Sequence, residues 1–144
     1  MERRFRRLNI NDFDDMIRVW NIAGLPTKPN GRDSRRMLAV EMSREYCAFF
    51  GAFDRGRLVG LVIANYDGRR GWVNRLAVDP DYRGLGLAVE LMAQSEEFLN
   101  QFGDVVICGL IEDLNAPSMS LFEKNGYVCE RSITYWTKRP RPDL

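Results

Sequence analysis

The spacing of apolar positions divides the first third of the chain into a strand and two helices. Residues 4–8 predict a first strand, and a helix is expected to begin at Asn11 or Asp12 and to end at Gly24. Its apolar residues recur at intervals of three or four and share one face: Phe13, Met16, Ile17 and Trp20. A second helix, with a weaker apolar stripe, is predicted to be capped by Asp33.

Three apolar segments separated by short polar turns predict a β-meander in the middle of the chain. The segments are residues 47–53, 58–64 and 72–78, and the turns between them are rich in Gly, Asp and Arg. Pro80 ends the third strand, because proline has no amide hydrogen for a strand ladder. A long helix is then expected over residues 84–102, since its apolar residues follow one line.

The last third of the chain predicts one buried strand, one short helix and one or two terminal strands. These elements are assigned to residues 105–111, to a helix between Asn115 and Gly126, and to residues 127–138. The order of elements predicts an α+β fold in a single domain over residues 1–144. Its central sheet is expected to be mixed and mostly antiparallel, with 6–7 strands flanked by about four helices.

Composition mainly excludes classes of protein. The 144 residues are 45% hydrophobic, which is enough for the core of one globular domain. Lys and Arg number 21 against 20 Asp and Glu, and a net charge of +1 argues against an electrostatic nucleic-acid binder. The chain contains no histidine, which excludes Ser-His-Asp triads, Cys-His dyads and His-ligated metal sites. No metal is therefore expected.

Cysteine usage and the lack of long apolar runs predict where the protein works. Cys47, Cys108 and Cys129 are far apart and form no C-x-x-C motif, so they are expected to be buried thiols in a reduced cytoplasm. No apolar run approaches the ~18 residues of a membrane span, and the first residues lack the apolar centre of a signal peptide. We expect a soluble cytoplasmic protein with no membrane partner. The sequence allows a homodimer without deciding it.

The segment between the third meander strand and the long helix is the main candidate for binding chemistry. Gly84 and Gly86 permit close backbone approach before a helix N-terminus, where unpaired amides and the helix dipole favour an anion such as phosphate. A plain strand-to-helix turn explains the glycines equally well. A dinucleotide-binding fingerprint fails, because Val89 replaces the third glycine and the segment follows a meander rather than opening a first β-α-β unit.

Two sequence blocks resemble a known family. The first, V-D-P-D-Y-R-G-L-G-L-A at residues 78–88, resembles the acyl-CoA pyrophosphate loop of the GNAT superfamily of N-acetyltransferases, Q/R-x-x-G-x-G/A. Arg83, Gly86 and Ala88 fill its signature positions. The second, residues 115–127, is similar to the later motif of that family, N-x-x-(S/A)-x-x-L-Y-x-K-x-G-F. The blocks occur in the family's order, and the resemblance covers residues 58–127.

The resemblance implies an N-acetyltransferase that moves an acetyl group from acetyl-CoA to a primary amine of a small molecule or peptide, by direct transfer in a ternary complex. It assigns binding of the pyrophosphate to the backbone amides of Arg83, Gly84, Leu85, Gly86, Leu87 and Ala88. It assigns pairing with the pantetheine amides, in the manner of an added strand, to Leu76, Ala77 and Val78. Asn115 and Ser118 are expected to contact the pantetheine or its neighbouring backbone, and Phe122 to lie near the thioester.

Three positions depart from the family pattern where proton transfer is expected. Phe122 replaces the usual tyrosine acid, and Asn74 and Leu110 stand where carboxylates are often found. Either another residue does this work, or little acid–base help is required because a thiolate leaves readily and water can take the proton of the amine. An acyl-CoA-binding module without significant turnover is the alternative function.

Glu112 is the leading candidate for a substitute base. With Asp113 it follows the strand that lines the expected cleft, and Tyr127 is a nearby phenol, although a solvated strand end explains Glu112 equally well. Cys108 is disfavoured as a nucleophile, because an apolar strand raises the pKa of a thiol and no base is identifiable. Four basic residues lie in the expected acceptor segment, where they could recognise a carboxylate or phosphate or form a solvated helix start: Lys28, Arg32, Arg35 and Arg36.

Overall fold

Five strands form one mixed sheet in the computed structural model, which describes residues 1–144. The strands are β1 (Arg3–Arg7), β2 (Cys47–Asp54), β3 (Arg57–Tyr66), β4 (Arg70–Val78) and β5 (Val106–Cys108). They lie in the sheet in chain order; the first three pairings are antiparallel, whereas β4 and β5 run parallel. This arrangement confirms the predicted meander and the crossover from β4 through a helix to β5.

The α-helices are α1 (Phe13–Ile22), α2 (Arg35–Met42), α3 (Leu87–Asn100) and α4 (Ala116–Lys124). The chain divides into two compact units, residues 1–110 and residues 111–144. The first unit contains the whole sheet with α1, α2 and α3, and the second contains α4. The predicted α+β fold with four helices is confirmed, whereas the single-domain organisation stays a prediction.

Helices cover both faces of the sheet in the first unit. Phe49 belongs to the buried cluster that includes Trp20 of α1. The ring of the next residue, Phe50, lies 6.1 Å from that of Phe98 in α3. Because successive strand residues point to opposite faces, α1 and α3 pack on opposite sides of the sheet. The placement of α3 fixes where the loop that leads into it from β4 must lie.

The sheet has five strands rather than the predicted 6–7, because residues 127–138 form no strand. Their apolar side chains are exposed, among them Ile133, Tyr135 and Trp136. A β-prone sequence becomes a strand only when a neighbouring strand pairs with its backbone, and no such pairing forms here. Cys129 is consequently exposed, although the sequence predicted a buried thiol; Cys47 is buried, and Cys108 is half-buried.

Three element boundaries also differ from prediction. Ser34 rather than Asp33 caps α2, and its side chain accepts the amide hydrogen of Met37. The strand expected over residues 105–111 is shorter, because the pairing of β5 with β4 stops at Cys108. The long helix begins at residue 87, after two glycines with positive φ.

None of the helices combines the length and the apolar character that crossing a bilayer requires. The cytoplasmic location and the homodimer stay predictions.

Candidate active site

The connection from β4 to α3 is anchored by polar side chains. Asp79 caps a short 3-10 turn, Pro80–Tyr82, by accepting the amide hydrogen of Asp81 at 3.0 Å. The Tyr82 hydroxyl donates a 2.7 Å hydrogen bond to the Asp54 carboxylate at the end of β2. This bond is the main cause that lowers the pKa of Asp54. The turn is therefore tied to the hairpin between β2 and β3.

Gly84 and Gly86 give this loop a backbone conformation that other residues rarely adopt. Their φ angles are +77° and +81°, and α3 begins directly after Gly86. Because Gly86 has no side chain, no side-chain acceptor caps the first amides of the helix. A Cβ at either glycine would meet no other atom within 4 Å. Open space thus adjoins the partly positive end of a helix, which fits an anionic group.

One edge of β4 is open beyond its first residues. Along its other edge β4 pairs with β3 as far as Val78, opposite Gly60. On the open side, β5 pairs only with residues 70–72 of β4. Leu76 is half-buried and Ala77 is buried, but no strand pairs with either of them on this side. Their backbone groups are therefore the ones with which an extended ligand could pair as an added strand.

A β-bulge interrupts β4 at Arg75. Ala77 pairs with Leu61 whereas Asn74 pairs with Ile63, so β4 carries one extra residue between them. Arg75 itself has a φ of +56°. A bulge bends its strand and changes the direction of the side chains around it.

Trp20 of α1 stabilises the bulge at Arg75. Its indole Nε1 donates a 3.1 Å hydrogen bond to the carbonyl oxygen of Arg75, and the Arg75 guanidinium lies 4.8 Å from the indole ring centre. Arg75 Nη2 donates a further bond of 3.0 Å to the carbonyl oxygen of Pro26. The bulge is therefore held at its backbone carbonyl by Trp20, and its guanidinium contacts the Trp20 ring and the Pro26 carbonyl oxygen.

A cavity of about 350 Å³ opens beside the bulge. Its wall is formed by residues of α2, of the segment before α2, of β3, of β4 and of the segment after β5: Arg32, Asp33, Glu41, Ile63, Asn74, Arg75 and Leu110. This volume lies at the lower end of the range of small-molecule sites. The cavity thus suits a small ligand or one end of a larger one.

The ionic groups of the cavity differ in how they are paired. Asp33 Oδ2 lies 3.5 Å from Nε of Arg32 and 4.0 Å from Nη2 of Arg75. Burial lowers the pKa of the Arg75 guanidinium, which Asp33 opposes. Burial raises the pKa of the Glu41 carboxyl; the charge of Arg44 opposes this shift and that of Asp33 adds to it. The pKa of the Glu41 carboxyl is therefore higher than that of an exposed glutamate.

Residues 13–127 match the family described as Acetyltransferase (GNAT) family. The chain belongs to this family. GNAT membership confirms the resemblance found in the sequence and, with it, acyltransferase activity that uses acetyl-CoA as co-substrate. An acetyltransferase of Sodalis glossinidius (strain morsitans) is 30% identical over 129 residues, which are 90% of this chain and 89% of that protein.

Solved structures share the GNAT fold at lower identity. The PaiA N-acetyltransferase from Thermoplasma acidophilum, in complex with coenzyme A, has a TM-score of 0.78 and 23% identity over 90% of this chain and 92% of that chain. AAC(6')-Iy, in complex with the bisubstrate analog CoA-S-monomethyl-acetylneamine, has a TM-score of 0.81 and 16% identity over 96% and 99%. At these identities the likeness shows the fold alone.

Within the first unit, the GNAT loop and the open strand edge follow one another along the chain. Leu76, Ala77 and Val78 end β4, and residues 83–88 form the loop and the first residues of α3. The positive φ angles occur at two of the positions that the family signature covers, Gly84 and Gly86. The contacts of these residues with acetyl-CoA stay predictions.

The remaining predicted site residues lie in the second unit. Asn115 caps α4 by accepting the amide hydrogen of Ser118 at 3.3 Å, and the ring of Phe122 lies 4.8 Å from that of Tyr127, edge to face. Glu112 is exposed in an irregular segment rather than at a strand end, because β5 stops earlier than predicted. The roles of these residues in acyl transfer stay predictions.

Sequence reasoning missed Glu41. This residue lines the same cavity as Asn74 and Leu110, the two positions where the GNAT pattern leads one to expect a carboxylate. The only signal in the sequence is an acid beside Met42 on a helix with a weak apolar stripe, within the expected acceptor segment. No motif marks it, since it reaches the cavity through the packing of α2.

Proposed function

We propose that this GNAT protein transfers the acetyl group of acetyl-CoA directly to a primary amine of a small molecule or peptide, in a ternary complex. The observation that carries the proposal is the position of the cavity. Asn74 and Arg75 line it, and the next residue, Leu76, belongs to the part of β4 beyond residue 72 that β5 does not pair with. An amine in the cavity and a thioester on that edge would meet along one strand, so that attack needs orientation rather than a covalent enzyme intermediate.

Backbone groups supply most of the proposed acetyl-CoA site. The amides of residues 83–88 bind the pyrophosphate, where each charge-assisted hydrogen bond contributes roughly 1.5–3 kcal/mol. The main chain of residues 76–78 pairs with the pantetheine amides. Asn115, Ser118 and Phe122 are proposed to contact the pantetheine and the thioester end.

Proton transfer is the step for which the usual GNAT groups are missing. The amine must lose a proton before it attacks, and the developing oxyanion needs a hydrogen-bond donor. The backbone amide of Leu76 or Ala77 is proposed as that donor. Glu112 is the residue that the sequence analysis predicts to take the proton of the amine, and Tyr127 is a nearby phenol.

An acyl-CoA-binding module without significant turnover is the second candidate function. It is favoured by the side chains at the three positions where the family usually carries proton-transfer groups. Phe122 has no hydroxyl, and neither Asn74 nor Leu110 can take a proton. Such a protein would bind acetyl-CoA at the same loop but would not couple it to an amine.

Two measurements on the purified protein test the proposal. Acetyl-CoA is expected to raise the melting temperature whereas NAD is not, because ligands that bind the folded state stabilise it. A panel of primary amines is then supplied with acetyl-CoA, and amine-dependent release of free thiol is expected for at least one of them. A rise in melting temperature with NAD but not with acetyl-CoA would contradict the assignment of the loop to acetyl-CoA. Binding of acetyl-CoA without amine-dependent thiol release would support the binding module instead.

A further inference from the structure

The two acids of the cavity are in different states. Asp33 accepts the backbone amide hydrogen of Lys28 at 2.7 Å and lies within 4.0 Å of Arg32 and Arg75. Glu41 is half-buried in the last turn of α2 and lines the cavity, and burial is the main cause that raises its pKa. Asp33 therefore stabilises the folded chain through these contacts. The Glu41 side chain lines the cavity, where a ligand can contact it.

Several charged or titratable groups surround Glu41. They come from the segment before α2, from the turn after it, from β2 and from β4: Arg32, Asp33, Arg44, Cys47 and Arg75. The attraction of Arg44 is smaller than the effect of burial, so the carboxyl keeps a raised pKa. A carboxylate of this kind is a stronger base than an exposed one, which suits the role of a proton acceptor.

We propose that this cavity binds a small primary amine that carries one anionic group, with Glu41 holding the ammonium group and removing its proton and Arg32 binding the anion. The inference rests on the proposed function. It deepens that function by naming the chemical class of the acceptor and by assigning the base to Glu41 instead of Glu112.

Charge balance selects this class of amine. Asp33 and Glu41 offset Arg32 and Arg75 in the lining of the cavity. A polyamine would add several positive charges beside a guanidinium that burial already disfavours, which costs free energy. An amine with one carboxylate adds no net charge, and an amine with one phosphate adds about one negative charge. The side chain of Arg32 is 61% exposed, so an anionic group can reach it.

The proposed step balances in atoms and charge. Glu41 takes one proton from the ammonium group, which frees the nitrogen lone pair. That pair forms the C–N bond to the thioester carbonyl carbon, and the C–S bond breaks with its electrons leaving on sulfur. A second proton passes from nitrogen to the thiolate, and the proton on Glu41 returns to water. The products are the acetylated amine and a free thiol.

Glu41→Gln and the matched control Glu45→Gln test the base. Glu45 lies in the exposed turn that follows α2 and does not line the cavity. With an amine that the wild type accepts, Glu41→Gln is expected to lower kcat/KM about 100-fold or more near neutral pH, with acetyl-CoA affinity unchanged. Glu45→Gln should behave as the wild type does.

The pH profile separates a base from a structural residue. The loss in Glu41→Gln should shrink as pH rises, because more of the amine is neutral without help.

A measurement of unfolding shows whether Glu41→Gln loses activity because its fold is weakened. The folded-state pKa of Glu41 lies above its unfolded value, so its contribution to stability is present at low pH and lost as pH rises through the folded pKa. Glu41→Gln should therefore unfold no more easily than the wild type near neutral pH.

Matched amines test the anionic group. Phosphoethanolamine is compared with ethanolamine, and β-alanine with propylamine. The anionic member of at least one pair is expected to have a kcat/KM about tenfold higher, and Arg32→Met should remove most of that preference. Arg69→Met is the control, because Arg69 is exposed and does not line the cavity. No preference for either anionic amine would overturn the proposed class.

Two results would overturn the role of Glu41 and leave the proposed function standing. One is wild-type activity in Glu41→Gln with an accepted amine. The other is a comparable loss confined to Glu112→Gln. Failure of the proposed function itself has a different signature: the wild type binds acetyl-CoA, but no amine releases thiol, and the role of Glu41 then falls with it.

Discussion

The guanidinium of Arg3 donates a 2.6 Å hydrogen bond to the backbone carbonyl oxygen of Leu85, 82 residues further along the chain. Arg3 begins β1, an edge strand that pairs only with β2. Leu85 lies between the two glycines of the loop that precedes α3. One end of the sheet therefore restrains the loop and places a positive charge beside the proposed pyrophosphate site.

Arg3→Met is expected to raise the dissociation constant for acetyl-CoA about two- to tenfold, the effect of one lost hydrogen bond of about 0.5–1.5 kcal/mol. Titration calorimetry measures the affinity directly. Arg4→Met is the control, because the Arg4 side chain is 81% exposed and its nearest ionic partner is Glu2 at 3.9 Å. Equal acetyl-CoA affinities in the two variants would show that Arg3 does not contribute to binding.

Gly86→Ala and Gly56→Ala form a pair with the same backbone strain. The φ angles are +81° and +82°, and an added Cβ meets no atom at either position. Each substitution should therefore lower stability similarly, by roughly 1–2 kcal/mol. Only Gly86→Ala is expected to weaken acetyl-CoA binding, by about tenfold or more, because its methyl group enters the space proposed for the pyrophosphate. Unchanged affinity in Gly86→Ala would place the pyrophosphate elsewhere.

Local signals account for the parts of the fold that the sequence predicts. The β2–β3 hairpin and the glycine loop before α3 follow from apolar runs, turn residues and a helix start, each of which acts within a few residues. The strands predicted over residues 127–138 do not form, because a strand also needs a neighbouring strand to pair with, and the tertiary fold decides which strands become neighbours.

The candidate site was predictable only where a motif marks it. The loop at residues 83–88 carries a signature, whereas the bulge at Arg75 and the cavity beside it have none. Both arise from the register shift between β3 and β4 and from the hydrogen bond of Trp20 to the Arg75 backbone. Glu41 reaches the cavity through the same packing. Such positions depend on contacts between distant segments, which periodicity does not record.

Asp12 is expected to stabilise the protein in a pH-dependent way. Its carboxylate accepts two hydrogen bonds from Arg6, of 2.8 and 2.9 Å, and a third from the amide of Asn9. The Arg6 bond is the main cause that holds the pKa of Asp12 below its usual value. Asp12→Asn should therefore lower the free energy of unfolding by about 2 kcal/mol at neutral pH.

The sign of the pH effect follows from the lowered pKa of Asp12. Its stabilisation is present above the unfolded value, about 3.9, and is lost as pH falls through the folded value. The difference between the wild type and Asp12→Asn in urea unfolding should thus shrink below about pH 4. Asp14→Asn, at an exposed position of α1, should show a smaller change. A difference that stays constant down to pH 2 would contradict the ionic origin.

The three thiols should react at different rates in the folded protein. Burial raises the pKa of Cys47 to about 12 and also raises that of the half-buried Cys108, whereas Cys129 is exposed. A maleimide is therefore expected to label Cys129 first, and Cys129→Ser should abolish the fast phase. Cys47 should react only after unfolding. Fast labelling of Cys47 in the native protein would show that β2 opens.

Mass spectrometry of both the protein and the small molecules tests direct transfer most closely. The protein is incubated with acetyl-CoA alone, and then with acetyl-CoA and an accepted amine. Direct transfer predicts no acetylated protein in the first sample, and acetylated amine and free CoA in equal amounts in the second. An acetyl group on Cys108 that an added amine removes, or acetyl-CoA that stays intact with every amine, would contradict the account.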